Sequence, residues 1–226
     1  MSKKKSRPIS RRVGISRYPF PVDKFDLKKT LPNYFKAQPE KFSVVNIPKC
    51  NYLMVDGKGD PNTAPEYVEA IELLYGVSYT LKFLSKREAG VDYVVPPLEG
   101  LWWAKDMSTF ESREKSKWSW TMMIMVPNEV SKVLVKVAIK NFQDKKPALD
   151  ISKLRFDSLS EGESVQVLHV GPYDAEGPIL SRLHNEFMPE NGYEFNGKHH
   201  EIYLGDPRKT EPSKLKTILR QPVRKK

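Results

Sequence analysis

The chain has 226 residues, of which 39% are hydrophobic and 29% charged. That is enough to bury a sizeable core in one large domain or two small ones. It holds one cysteine, Cys50, which excludes internal disulfides and thiolate metal clusters, and no apolar run reaches the roughly 18 residues of a membrane helix. The net charge of +10 is carried partly by the ends, "KKKSRPISRR" and "RQPVRKK"; these read as solvated arms. The basic start has no apolar stretch behind it, so it is not a secretory signal, and the expected location is the cytoplasm.

In chain order, residues 1–40 read as a Pro-rich basic arm. Its aromatics Tyr18, Phe20, Phe25, Tyr34 and Phe35 are candidates to dock on the body and cover one end of a cleft. "FSVVNIPKCNYLMVDGKGDP" reads as one strand ending in a Gly-rich turn. "APEYVEAIELLYGVSYTLKFLSK" reads as a helix with Pro65 in its first turn and Val68, Ile71, Leu74, Tyr75, Ser78 and Leu81 on one face. "VDYVVPPLEGLWWAKD" and "KWSWTMMIMVP" follow as strands. Asn128 is a plausible N-cap for a connecting helix over about 128–145, with Val130, Val133, Leu134 and Val137 as its apolar face.

The pattern then repeats. "SVQVLHVGPYD" is a strand, "EGPILSRLHNEFMPENG" a helix from Pro178 to Gly192, and "KHHEIYLGDP" and "KLKTILRQPV" two more strands. The expected fold is α+β, a duplicated strand-helix-strand-strand module. Residues 41–222 form a single domain, with modules at about 41–127 and 152–222 and a basic tail at 223–226. One helix covers one face of each small antiparallel sheet. The opposite faces are then free to form a common ligand cleft.

"VVPPLEGLWW", "HVGPYD" and "HHEIYLGDP", in this order, resemble the GyrI-like small-molecule-binding family, which is related to the effector-binding domains of AraC-type regulators. The resemblance covers roughly residues 42–222. It implies a cleft between two modules that binds bulky planar, hydrophobic or cationic compounds. Stand-alone members resembling this chain hydrolyse cyclopropane-bearing DNA-alkylating compounds. No DNA-binding domain accompanies the module, which weighs against a transcription regulator.

Alternation in "LEGLWW" puts Leu98, Gly100 and Trp102 on one face and Glu99, Leu101 and Trp103 on the other. In "HHEIYLGD", Glu201 and Tyr203 share a face. If the two modules correspond, Glu99, Trp103, Glu201 and Tyr203 look into the same cleft, and Trp102 belongs to the core. Opening an electrophilic cyclopropane needs a stacking surface, a base for water and a donor for the developing oxyanion. Glu99 or Glu201 would be the base, and Tyr203, Tyr173 or a protonated carboxyl the donor. Trp103 and Trp120 would stack the ligand, though Trp120 fits a core wall equally well. Tyr79 is a further contact candidate that helix packing would also explain, and Tyr173 could simply close its turn.

His199 and His200 are adjacent and point to opposite faces of a strand, so they do not form a zinc site. No cofactor is implied, and the expected partner is a planar small molecule, with no specific nucleic acid or membrane. A non-catalytic drug-binding protein and an inhibitor of a macromolecule such as DNA gyrase remain as alternatives.

Overall fold

The computed structural model describes residues 23–226 except Met107. Tyr18 and Phe20 therefore lie outside the described residues. Among the described residues, nine strands form one antiparallel sheet. They are β1 (Ser43–Ile47), β2 (Cys50–Lys58), β3 (Leu98–Trp103), β4 (Ser119–Val126), β5 (Leu154–Leu159), β6 (Gly162–Val170), β7 (Tyr193–Phe195), β8 (His199–Tyr203) and β9 (Lys216–Lys225). The order is β1-β6-β9-β8-β3-β4-β2-β5, with β7 paired to the end of β9. The α+β antiparallel class is as expected from the sequence.

The expected pair of small sheets is instead one continuous sheet, joined where β3 meets β8. The run read as one strand across residues 42–58 is broken at Pro48, which has no backbone N–H to give to a ladder. The two halves of that run part company. β2 pairs with β4 and β5, while β1 crosses to pair with β6 at the far edge. Residues 223–225, expected in a free tail, continue β9, and Val223 is buried.

Short helices α1 (Leu27–Thr30) and α2 (Pro32–Phe35) precede the sheet, and α3 (Pro65–Ala89) links β2 to β3. α3 starts with Pro65, where a missing N–H costs nothing, and with Glu66 at its positive end. Lys86 and Arg87 lie in its last turn, and Gly90 closes it at φ 67°, a left-handed cap that favours glycine. Its buried stripe is Ala70, Leu73, Leu74, Val77, Leu81 and Leu84. Val68 is exposed, and Ile71 and Tyr75 border a cleft, so the helix is rotated from the expected face.

α4 (Ser108–Glu111) lies in the β3–β4 connection, and α5 (Lys132–Lys145) packs beside α3. Ser131, not Asn128, caps α5, its side chain accepting from Leu134 N. The shifted start turns Val135, Ala138 and Phe142 into the core and leaves Val133 and Val137 exposed. α6 (Gly177–Arg182) runs through a π turn at Leu183–Phe187 into α7 (Met188–Glu190).

α3 and α6 lie on the same face of the sheet. Front-facing β2 and β4 residues Leu53, Val55, Met122 and Ile124 pack under α3, whereas β6 and β9 residues Val167 and Leu219 pack with Ile179 of α6. The opposite face was expected to carry the cleft. It is covered by residues 25–37, with Tyr34 and Phe35 buried against Tyr52, Met54, Leu101, Met123 and Ile218. The segment does not cap the cleft, although the Lys28 side chain reaches its margin.

Candidate functional site

The cleft opens between α3 and α6, above the central strands β3 and β8, and has a volume of about 1390 Å³. Its floor includes Trp102 from β3 and His199, Glu201 and Tyr203 from β8. One wall is Tyr67, Tyr75 and Tyr79 of α3, and the other is the Pro172–Gly177 turn before α6. Phe110 and Trp118, from the β3–β4 connection, complete the aromatic lining.

The strand register decides which side chains meet there. Directly opposed residues of an antiparallel pair share a face. Gly100 stands opposite Glu201 and Trp102 opposite His199, so these four belong to the cleft face. Glu99 stands opposite Ile202 and Leu101 opposite His200, so these belong to the back. The two glutamates expected to share a cleft therefore point to opposite sides of the sheet.

Glu99 is fully buried behind the cleft floor. It accepts hydrogen bonds from the Tyr34 hydroxyl and, at 2.9 Å, from His200 Nε2. His200 Nδ1 lies 3.0 Å from Glu161, which also accepts from Arg220 at 3.2 Å. Arg220 in turn donates to the Tyr34 carbonyl at 2.5 Å and to Gln166. The two carboxylates outweigh burial and hold His200 above its usual value. Burial opposes ionisation of Glu161, but His200 and Arg220 bring it down to about 2. This network ties residues 33–36 to the sheet and never reaches the cleft.

Trp103 is also on the back, with Lys198 Nζ 3.1 Å from its ring centroid. Trp120 is fully buried under α3, edge-on to Tyr67, and does not line the cleft. Glu99, Trp103 and Trp120 are thus removed from the expected site. Glu201, Tyr203, Tyr173 and Tyr79 are brought together in it.

A hydrogen-bonded chain runs along the floor. Trp102 Nε1 donates to the Tyr203 hydroxyl at 2.9 Å, and that hydroxyl donates to Glu201 Oε2 at 2.8 Å. His199 Nε2 lies 3.5 Å from the other oxygen, Oε1. The Tyr203 proton is committed to Glu201, so Tyr203 orients the carboxylate. Burial and the neighbouring Glu201 push the Tyr203 hydroxyl well above its usual range, so it keeps that proton. Gly100 makes room for the chain: a methyl group there would lie 2.8 Å from Trp102 Nε1 and 3.1 Å from the Tyr203 oxygen.

The walls are built from aromatic pairs. Phe110 stacks on Trp118 at 4.6 Å, Trp118 meets Trp102 edge-on at 6.0 Å, and Tyr173 meets Tyr203 edge-on at 5.5 Å. Tyr75 and Tyr79 stack at 6.3 Å. Burial first, then Glu176 and Glu201, push Tyr173 up to about 12. Several charges at the rim pair with one another: Asp174 with Arg113 and Lys115, Asp206 with Arg208, and Glu72 with Lys146. The acids inside are Glu201 and Glu176. A flat hydrophobic molecule, neutral or cationic, fits such a space.

Sequence reasoning missed Trp102, Tyr67, Tyr75, Phe110, Trp118 and Glu176. Trp102 shares its strand face with Gly100, and a strand glycine beside tryptophan was a signal of close approach from a neighbouring chain segment. Nothing local marks Glu176.

A model of the GyrI-like small molecule binding domain matches residues 40–224. The chain belongs to that family. An uncharacterized conserved protein from Listeria innocua is 40% identical with a TM-score of 0.80, covering 88% of this chain and all of that one. Two structures of hydrolases from Listeria innocua are each 38% identical. Their TM-scores are 0.76 and 0.79, and they cover 88% and 89% of this chain and all of their own. The EcmrR C-terminal domain, at 14% identity and a TM-score of 0.51, shares the fold alone. No curated protein gives a significant match. Among the described residues no helix is long and apolar enough to cross a membrane.

Proposed function

We propose that this GyrI-like protein is a hydrolase that binds a flat hydrophobic molecule in the α3–α6 cleft and opens a strained, electrophilic cyclopropane with water. Its role would be to destroy DNA-alkylating compounds of that kind. The observation that carries the reading is the Trp102–Tyr203–Glu201 chain, which holds one carboxylate in a fixed orientation at the floor of an aromatic cleft. Such a carboxylate is suited to take a proton from water as the water attacks the ring. Trp102, Trp118 and Tyr67 supply faces and edges that hold a planar ligand above it. The two hydrolase structures from Listeria innocua add support by their likeness over nearly the whole chain.

A second reading, a drug-binding protein without turnover, draws on the same aromatic walls, which would hold a ligand whether or not Glu201 acts. Incubating the protein with a cyclopropane-bearing DNA alkylator separates the two. The hydrolase reading expects a ring-opened, hydrated product, and at least a hundredfold slower turnover for Glu201→Gln. Trp102→Ala should weaken binding. Tight binding with no product would establish the binder and overturn the hydrolase.

A further inference from the structure

Among the acids of the cleft, Glu176 has no part in the Trp102–Tyr203–Glu201 chain. It sits in the turn between β6 and α6, where its backbone N–H closes a tight turn on the Tyr173 carbonyl and its own carbonyl accepts Leu180 N, starting α6. The side chain does neither job. It lines the cleft, is 5% exposed, and its Oε1 has no hydrogen-bond partner. A buried polar atom left without a partner costs about 1–3 kcal/mol. Such an atom in a ligand cleft calls for an explanation beyond packing.

Protonation supplies the first half of one. Burial, and then the negative charge of Glu201, push the Glu176 carboxyl well above the usual carboxylate range. Thr217 and Arg113 pull it the other way by less, and Asp174 adds a smaller push upward. A neutral carboxyl in a cleft has one O–H to donate. The Tyr203 hydroxyl beside it is not available to a ligand, because it already donates to Glu201. Where one carboxyl of a pair in a cleft is held neutral, the two are suited to opposite roles, one as acid and one as base.

We propose that Glu176 is the general acid of this site, donating its proton to the carbonyl oxygen of a conjugated cyclopropyl ketone while Glu201 activates water. This rests on the hydrolase reading above and adds a second catalytic group to it. Glu201 takes a proton from water as the water oxygen bonds to a cyclopropane carbon. The strained C–C bond breaks, and its electron pair moves through the conjugated system to the carbonyl oxygen. That oxygen takes the proton of Glu176 and becomes a phenol or enol. Glu201 is left protonated and Glu176 ionised, and transfer of one proton between them restores the site. The net reaction is addition of one water molecule.

The test uses the full chain and a spirocyclopropyl cyclohexadienone, whose dienone absorbance is lost on hydrolysis. Glu176→Gln should lower kcat by about 10²–10⁴-fold with KM changed only a few-fold, the usual loss for a general acid. It should also remove the alkaline fall in the kcat–pH profile, which reports loss of the acid's proton in the wild type. Glu201→Gln should instead remove the acidic fall. If the wild type turns the dienone over and Glu176→Gln keeps its rate and its alkaline fall, this assignment is wrong and the hydrolase reading stands. A lower Tm with an unmoved pH profile has the same meaning, since it marks a structural role. If the wild type gives no turnover, both fail. Carbon-13 NMR titration of the side-chain carboxyls adds a readout that needs no variant: Glu176 should remain protonated at neutral pH, and titration in the ordinary carboxylate range overturns the proposal.

Discussion

Substituting Glu99 and Glu201 separately should produce opposite phenotypes, because the sheet puts them on opposite faces. Glu99 is fully buried and accepts two hydrogen bonds, one from Tyr34 and one, charge-assisted, from His200 at 2.9 Å. Removing one partner from a buried ion pair typically costs about 3–5 kcal/mol. His200 would keep Glu161 at 3.0 Å as a counter-charge, so Glu99→Ala belongs at the lower end, about 3 kcal/mol. Glu99→Gln retains the volume and one acceptor and should cost roughly 2 kcal/mol, the range of a lost charge-assisted hydrogen bond. Urea unfolding at pH 6 measures both. The folded Glu99→Gln protein should hydrolyse the spirocyclopropyl dienone within about twofold of the wild-type rate. Glu201→Gln should show the reverse, near-native stability with turnover lost. A Glu99→Gln protein of native stability that binds or turns over poorly would refute the assignment of Glu99 to the back of the sheet.

Two further outcomes are expected. Gly100→Ala places a methyl carbon 2.8 Å from Trp102 Nε1, which should cost about 1–3 kcal/mol by overpacking. By moving Tyr203 off Glu201 it should also lower kcat more than it raises KM; an unchanged kcat in steady-state kinetics would show that the chain does not set the carboxylate. Stability against pH should have a plateau with a fall on each side. Glu161 lies below its ordinary 4.5, at about 2, so its contribution is present above pH 4.5 and lost as pH falls toward 2. By linkage that contribution is roughly 3 kcal/mol. His200 lies above its ordinary 6.5, so its contribution is full below pH 6.5 and lost as pH rises through its folded value. Glu99 is one cause of that elevation, so Glu99→Gln should start the alkaline loss at lower pH. Urea midpoints across the range, flat from pH 2 to 9, would contradict the network.

The sequence by itself determined the α+β class, the long helix with Pro65 at its start, the strand segments about the centre of the sheet and the likeness to the GyrI-like family. It also brought Glu201, Tyr203, Tyr173 and Tyr79 forward as candidates. These rest on local chemistry: caps, turn residues and alternation act within a few residues of the chain. Alternation says which residues of one strand share a face. It does not say which face of that strand matches which face of another, and a slip of one residue exchanges the two sides of a sheet. Equating Glu99 with Glu201 made that slip, and it carried Trp103 to the cleft; Trp102 is in the core as expected, but on the side of the sheet that also borders the cleft. The β3–β8 register, with Gly100 opposite Glu201, is a long-range pairing that only the tertiary structure decides. So is the choice of residues 25–37 to cover the back, a face whose buried Glu99, Arg220 and Gln166 needed the Tyr34 hydroxyl and the backbone carbonyls of Asn33, Tyr34 and Lys36 as partners. With that face closed, the space between α3 and α6 became the cleft, and it drew in Glu176, a residue with no mark in its own neighbourhood of the chain.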